Sequence, residues 1–246
     1  MLSRRKPNIH VGIAIVLAVI YVSMSEFISV TVGRGVPGSL ILDLSMAAIC
    51  AAAYFHEFGL RERDYRLEHV GILYCAGFVY WLCVCPLVSY YQREAGQWPV
   101  DILGGLSGTD RPMYAIIALV AAPLFEELFF RGILFECLQE RIPWPFASLI
   151  ASAVFAAIHG SNAQVYGAFI LGLFLCMLYH VTGNIGWNVL FHSLYNLGML
   201  FVQPMLPVPE SMETHHVLFI IVSAVLLLYT TVLFWAVVHI NESGRP

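Results

Sequence analysis

Between Ala121 and Asn196, apolar runs long enough to lie in lipid are broken by Glu126, Glu127, Arg131, His159, His192 and Asn196. Near the centre of a spanning helix each charged residue costs about 2.5–3.5 kcal/mol when it faces lipid. The three in PLFEELFFRG would together cost roughly 7–10 kcal/mol. Their side chains are therefore predicted to face protein or water, which restricts the chain to folds that gather several helices around them.

The rest of the sequence supplies those helices. Hydrophobic residues make up 59% of the 246 and charged residues 11%, whereas about a quarter of an average soluble domain is charged. A span needs about 20 mainly apolar residues. Candidates lie near 10–30, 39–55, 70–90, 113–135, 146–160, 165–182, 186–202 and 217–240, the second and fifth of them short. The expected fold class is an all-α polytopic membrane protein, a bundle of about eight transmembrane helices. Three regions are expected: residues 1–112 with three spans, a core at 113–202, and 203–246 with a loop and the last span.

Orientation follows from the loops, because Lys and Arg accumulate on the cytoplasmic side. With the N-terminus inside, that side holds Arg4, Arg5, Lys6, Arg61, Arg63, Arg66, Arg141 and Arg245, against Arg34, Arg93 and Arg111 opposite. Both termini are expected to be cytoplasmic. The first span is too long for a signal-peptide core and is expected to be retained. A net charge of −4 leaves no basic surface for nucleic acid, and no such partner is expected. Cys50, Cys75, Cys83, Cys85, Cys137 and Cys176 all fall in or beside apolar segments, where a free thiol packs as a small hydrophobe.

Helical spacing sorts the polar residues of the core. Positions four apart share a face and adjacent ones diverge by about 100 degrees. Glu127 therefore aligns with Arg131, which can neutralise it, while Glu126 points elsewhere and lacks a guaranteed cation. A carboxylate in that position is suited to take a proton from water and later return it. His192 and Asn196 are also four apart and reach one side of their helix, and His159 ends the fifth predicted span. The rise of about 1.5 Å per residue puts Glu126, His159 and His192 at depths compatible with one buried pocket. His180, Asn184, Asn188 and Tyr195 lie near this third cluster and are read as supporting or interfacial residues.

The ordered motifs resemble a known family. EELFFR reads as E-E-x-x-x-R, FAAIH as F-x-x-x-H and HSLYN as H-x-x-x-N. In this order, on separate apolar segments, they are similar to the CPBP family of intramembrane proteases, also called the Abi or CAAX protease family. The resemblance covers roughly residues 113–202, and Gly167, Gly172 and Gly186 resemble that family's glycine-bearing stretch. It implies a polar active-site chamber in which a glutamate and a histidine activate water for peptide-bond hydrolysis. Carried onto this chain, the activating group is Glu126, with His159, His192 and Asn196 as the other site residues and Glu127 and Arg131 as structural support.

Two mechanisms stay open. In one, His159 and His192 with Glu126 or Asn196 hold Zn²⁺ and leave a position for water. In the other, favoured because Asn is a poor zinc ligand and H-E-x-x-H is missing, no cofactor is needed. There Glu126 and His159 deprotonate water, while His192 and Asn196 donate to the oxyanion.

The expected function is an intramembrane endopeptidase, glutamic in type with a metalloprotease as the alternative. It would act on a membrane-associated peptide or protein, such as a CAAX-type C-terminus or a sorting tail. The alternative is a non-proteolytic membrane scaffold or bacteriocin-immunity protein. Serine and aspartyl intramembrane proteases are disfavoured, since the one G-x-S-G run, at 105–108, lies in the polar loop before the fourth candidate span and G-x-G-D does not occur. A multi-pass location in a prokaryotic plasma membrane suits the compact loops. Asp43, the one acidic residue deep in the first half, is either a functional carboxylate or close enough to a helix end to reach water.

Overall fold

The computed structural model describes residues 7–32, 35–58, 70–79, 81, 106, 108–159 and 162–202. Every regular element among them is helical. They are α1 (Pro7–Thr31), α2 (Val36–Glu57), α3 (Val70–Val79), α4 (Asp110–Gln139), α5 (Trp144–Ala157), α6 (Asn162–Thr182) and α7 (Ile185–Val202). Four of these have segments long and apolar enough to cross a membrane: Gly12–Thr31, Val36–Glu57, Asp110–Gln139 and Ile185–Val202. The protein is thus a polytopic helical membrane protein. The expected span at 217–240 and nearly all of 80–90 lie outside the described residues.

Lipid and protein faces separate along each helix. Val22, Phe27 and Val30 on α1 are exposed, as are Ile41 and Leu44 on α2, whereas Met46, Cys50 and Tyr54 on α2 are buried. In water such outward apolar side chains would be a liability, and in a bilayer they are solvated. The inward residues of α1 and α2 form one core with Phe125, Leu128, Ile133 and Cys137 of α4. On the far side of α4, Phe135 meets Ala147 and Ala151 of α5 and Cys176 and Tyr179 of α6. The hydroxyls of Tyr54 and Tyr179 lie 3.2 Å apart and join α2 to α6.

Two local devices set the placement of α6 and α7. Gly183 takes φ +63°, a conformation that an L residue with a side chain resists, and so ends α6. Asn184 then caps α7, its Oδ1 accepting from the Gly186 N–H at 2.8 Å. Gly172 lets α6 lie so close to α5 that a Cβ there would stand 2.9 Å from the Ser152 Cβ.

The centre of α4 departs from regular α geometry. Ile117–Ala121 and Leu128–Phe135 are π-helical, as is Gly198–Val202 at the end of α7. The first stretch precedes Pro123, which has no N–H to donate. Ala122 donates to the Ile117 carbonyl five residues back, so the next bond in that register would run from residue 123 to Ala118. Proline cannot make it. The Ala118 carbonyl instead accepts from Asn196 Nδ2 at 2.8 Å, which ties α7 to α4 beside the acidic pair.

Candidate active site

The polar cluster is built on α4 and α7, with α5 and α6 closing it. Glu127 is fully buried and accepts three side-chain donors. Arg131 Nη1 donates to its Oε1 at 2.7 Å, and His192 Nδ1 lies 2.8 Å from the same oxygen. Asn188 Nδ2 donates to Oε2 at 3.2 Å and also to the Leu175 carbonyl at 2.7 Å. A carboxylate inside a bundle needs this degree of satisfaction, because its water shell is lost.

Arg131 is fixed as tightly. Its Nη2 donates to the Gly172 carbonyl at 3.3 Å, and its guanidinium lies 4.5 Å from the centre of the Phe155 ring. The close α5–α6 approach at Gly172 holds that carbonyl within reach. The i,i+4 spacing of Glu127 and Arg131 is realised as a direct ion pair with both side chains almost wholly buried.

His192 stands between the two glutamates. A carboxylate only accepts, so the bond to Glu127 fixes the N–H on Nδ1 and turns Nε2 the other way. Nε2 lies 3.7 Å from Glu126 Oε2, beyond direct hydrogen-bond distance. The Glu126 side chain keeps 16% of its surface exposed, against 0% for Glu127. Adjacent carboxylates thus occupy unlike places: one is consumed by fixed donors, the other faces an imidazole across a gap.

The remaining residues expected at the site are placed as follows. His159 Nδ1 lies 2.7 Å from the Phe155 carbonyl; the carbonyl accepts, so Nε2 is left uncommitted. The His159 ring packs edge-on against Phe155 at 4.7 Å, and Phe155 in turn lies 6.0 Å from the His192 ring. Phe155 therefore spaces the two imidazoles, and no direct contact joins His159 to Glu126 among the described residues. Asn196 uses one amide hydrogen on the Ala118 carbonyl. Asn188, His192 and Asn196 follow each other at four-residue steps and form one polar stripe on α7.

Spacing assigned Glu127 to Arg131 but gave no sign that Glu127 also holds His192. Asn188 was legible only as a residue on the His192 face; its two bonds come from how α7 docks on α4 and α6. Asn188→Ala would remove a donor from Glu127 and the second donor from the Leu175 carbonyl. It is expected to lower stability by about 1–3 kcal/mol, measurable as unfolding in detergent.

Among the described residues no group of three or more His, Cys, Asp or Glu side chains is gathered to hold a metal ion. An apolar groove of about 420 Å³ runs between α1, α4 and α5, lined in part by Tyr21, Phe125, Phe129, Cys137 and Ile158. Phe125 stacks on Tyr21 at 5.3 Å, so the groove is walled by the residue that precedes Glu126 in the chain.

Comparison with known proteins finds similarity over the same stretch of the chain. Residues 109–198 match the family described as "Type II CAAX prenyl endopeptidase Rce1-like". Over these residues the chain is similar to this family. The matched Rce1-like stretch contains all the polar residues of the cluster. Over 122 residues the chain is also 26% identical to the "Putative membrane peptidase YdiL" of Bacillus subtilis (strain 168), covering 47% of this chain and 48% of that one. It thus spans about half the length of the curated relative it matches. No solved structure matches it.

Proposed function

We propose that this Rce1-like protein is an intramembrane endopeptidase in which Glu126 activates water against a peptide carbonyl. The observation that carries this reading is the split between the two glutamates. Glu127 is saturated by Arg131, His192 and Asn188, while Glu126 has an open side and faces His192 Nε2 at 3.7 Å.

Glu126 takes a proton as the water oxygen bonds to the carbonyl carbon, and gives it to the nitrogen as the C–N bond breaks. Glu127 serves His192 as the buried acid of a catalytic triad serves its histidine, holding one tautomer and one ring orientation. The uncommitted Nε2 of His159 and the second amide hydrogen of Asn196 are the remaining polar groups available to substrate. The role of the oxyanion donor goes to Asn196, with His192 Nε2 joining it only when the ring also carries a proton there.

A membrane-associated substrate, with a CAAX-type C-terminus as one candidate, suits the apolar groove walled by Phe125. We place both termini in the cytoplasm on the distribution of Lys and Arg.

The test compares peptide termini in membrane fractions of cells carrying the wild type or Glu126→Gln at equal expression. Termini present only with the wild type are expected, and they name the substrate. Identical termini, together with rescue of a deletion phenotype by Glu126→Gln, would replace the peptidase with a scaffold that binds without cutting.

A further inference from the structure

Hydrolysis inside a bilayer consumes water, so a peptidase of this kind needs a hydrated way to its carboxylate. One face of the α1–α2 hairpin has the composition for it. A cavity of about 480 Å³ opens between the end of α1 and the start of α2, lined by Ser25, Glu26 and Ser29 from one helix and Gly38 and Ser39 from the other. Its lining is polar, unlike the apolar groove on the other side of α1.

The polar character continues inward by single helical turns. Asp43 is four residues on from Ser39 and half-buried, and Tyr21 is four residues before Ser25. Tyr21 stands within electrostatic reach of both Asp43 and Glu126, and Asp43 within reach of Glu126. α1, α2 and α4 pack on one another here, with Tyr21 against the core that Leu42 and Met46 form with Phe125 and Leu128. Asp43 lies in a segment apolar enough to cross a membrane. Carboxylates in such segments are costly unless they pair or face a water-filled cavity. Leu44, next to Asp43, points to lipid with 47% exposure, while Met46 and Ala47, three and four residues on from Asp43 and on its face of α2, are buried.

The geometry points to an aqueous vestibule between α1 and α2 that admits water past Ser39, Asp43 and Tyr21 to the Glu126 carboxyl. Its function in catalysis rests on the hydrolytic reading above; its existence does not. Tyr21 then divides two environments, with hydrocarbon on the Phe125 side and water on the Asp43 side. Glu126 is reached from both, as a reaction joining a lipid-borne peptide to water requires.

The test uses the full-length protein in nanodiscs and a charged, membrane-impermeant methanethiosulfonate reagent. Ser39→Cys and Asp43→Cys are expected to react at least about ten times faster than Leu44→Cys, since a thiol must be hydrated to ionise and meet the reagent. Asp43→Cys reacting no faster than Leu44→Cys would overturn the vestibule, whatever the protein cleaves. In the second arm, modified Ser39→Cys is expected to lose several-fold in kcat and regain it when a reductant removes the adduct. The wild type treated identically corrects for native cysteines. Undiminished turnover after complete modification would overturn the water route. If the wild type cleaves nothing, the hydrolytic reading fails while the labelling rates still decide the vestibule.

Discussion

Glu126→Gln is expected to lower kcat for peptide-bond hydrolysis by about 10²–10⁴-fold, the usual contribution of a positioned general base. The substitution keeps the side chain's size and removes only its ability to take a proton. It should leave the fold intact, because the described residues give Glu126 no fixed donor comparable to the three on Glu127. His192 Nε2 is 3.7 Å away and already held in place through Nδ1. The expected signature is therefore an unchanged unfolding midpoint with lost turnover in the purified protein. Glu127→Gln would differ, since it removes the anion paired with Arg131 and loosens His192, so both stability and turnover should fall. A Glu126→Gln protein that cleaves at the wild-type rate would rule out Glu126 as the base.

Most of the helical architecture was legible because lipid imposes a coarse rule. A span must be apolar and long, and its charged residues must find partners inside the protein. That rule located α1, α4 and α7 by length, left α2 as a short candidate where the helix runs 22 residues, and marked PLFEELFFRG as a polar centre. The i,i+4 spacing also paired Glu127 with Arg131, as the ion pair at 2.7 Å realises it.

What stayed hidden depends on contacts between helices. Nothing in HSLYN says that His192 turns Nδ1 to Glu127 rather than to Glu126. The π-helical stretches of α4 and the Ala118 carbonyl that Pro123 leaves to Asn196 follow from a local hydrogen-bond register that apolar periodicity does not encode. Asp43 was visible as a lone carboxylate in an apolar segment. Which helix it faced was not, since spacing within α2 fixes only its direction relative to Leu44 and Met46.

Arg131→Ala is expected to destabilise the protein by about 3–5 kcal/mol, the cost of leaving a buried charge without its partner. Arg131 is among the largest fully buried side chains in the molecule. Its loss removes the cation from Glu127, a donor from the Gly172 carbonyl and the guanidinium from the Phe155 ring. His192 and Asn188 would still donate to Glu127, which keeps the estimate from rising further. Equilibrium unfolding in mixed detergent micelles measures the difference. The double variant Glu127→Met with Arg131→Met separates the pair's two roles, because replacing a whole buried pair by apolar residues of similar volume is often neutral or stabilising. It should recover most of the stability lost in Arg131→Ala. Turnover should stay low, because His192 would have lost the carboxylate that fixes its Nδ1 proton and aims Nε2 at Glu126. Recovery of both stability and turnover would mean that the ion pair only neutralises itself and that His192 needs no orienting acid.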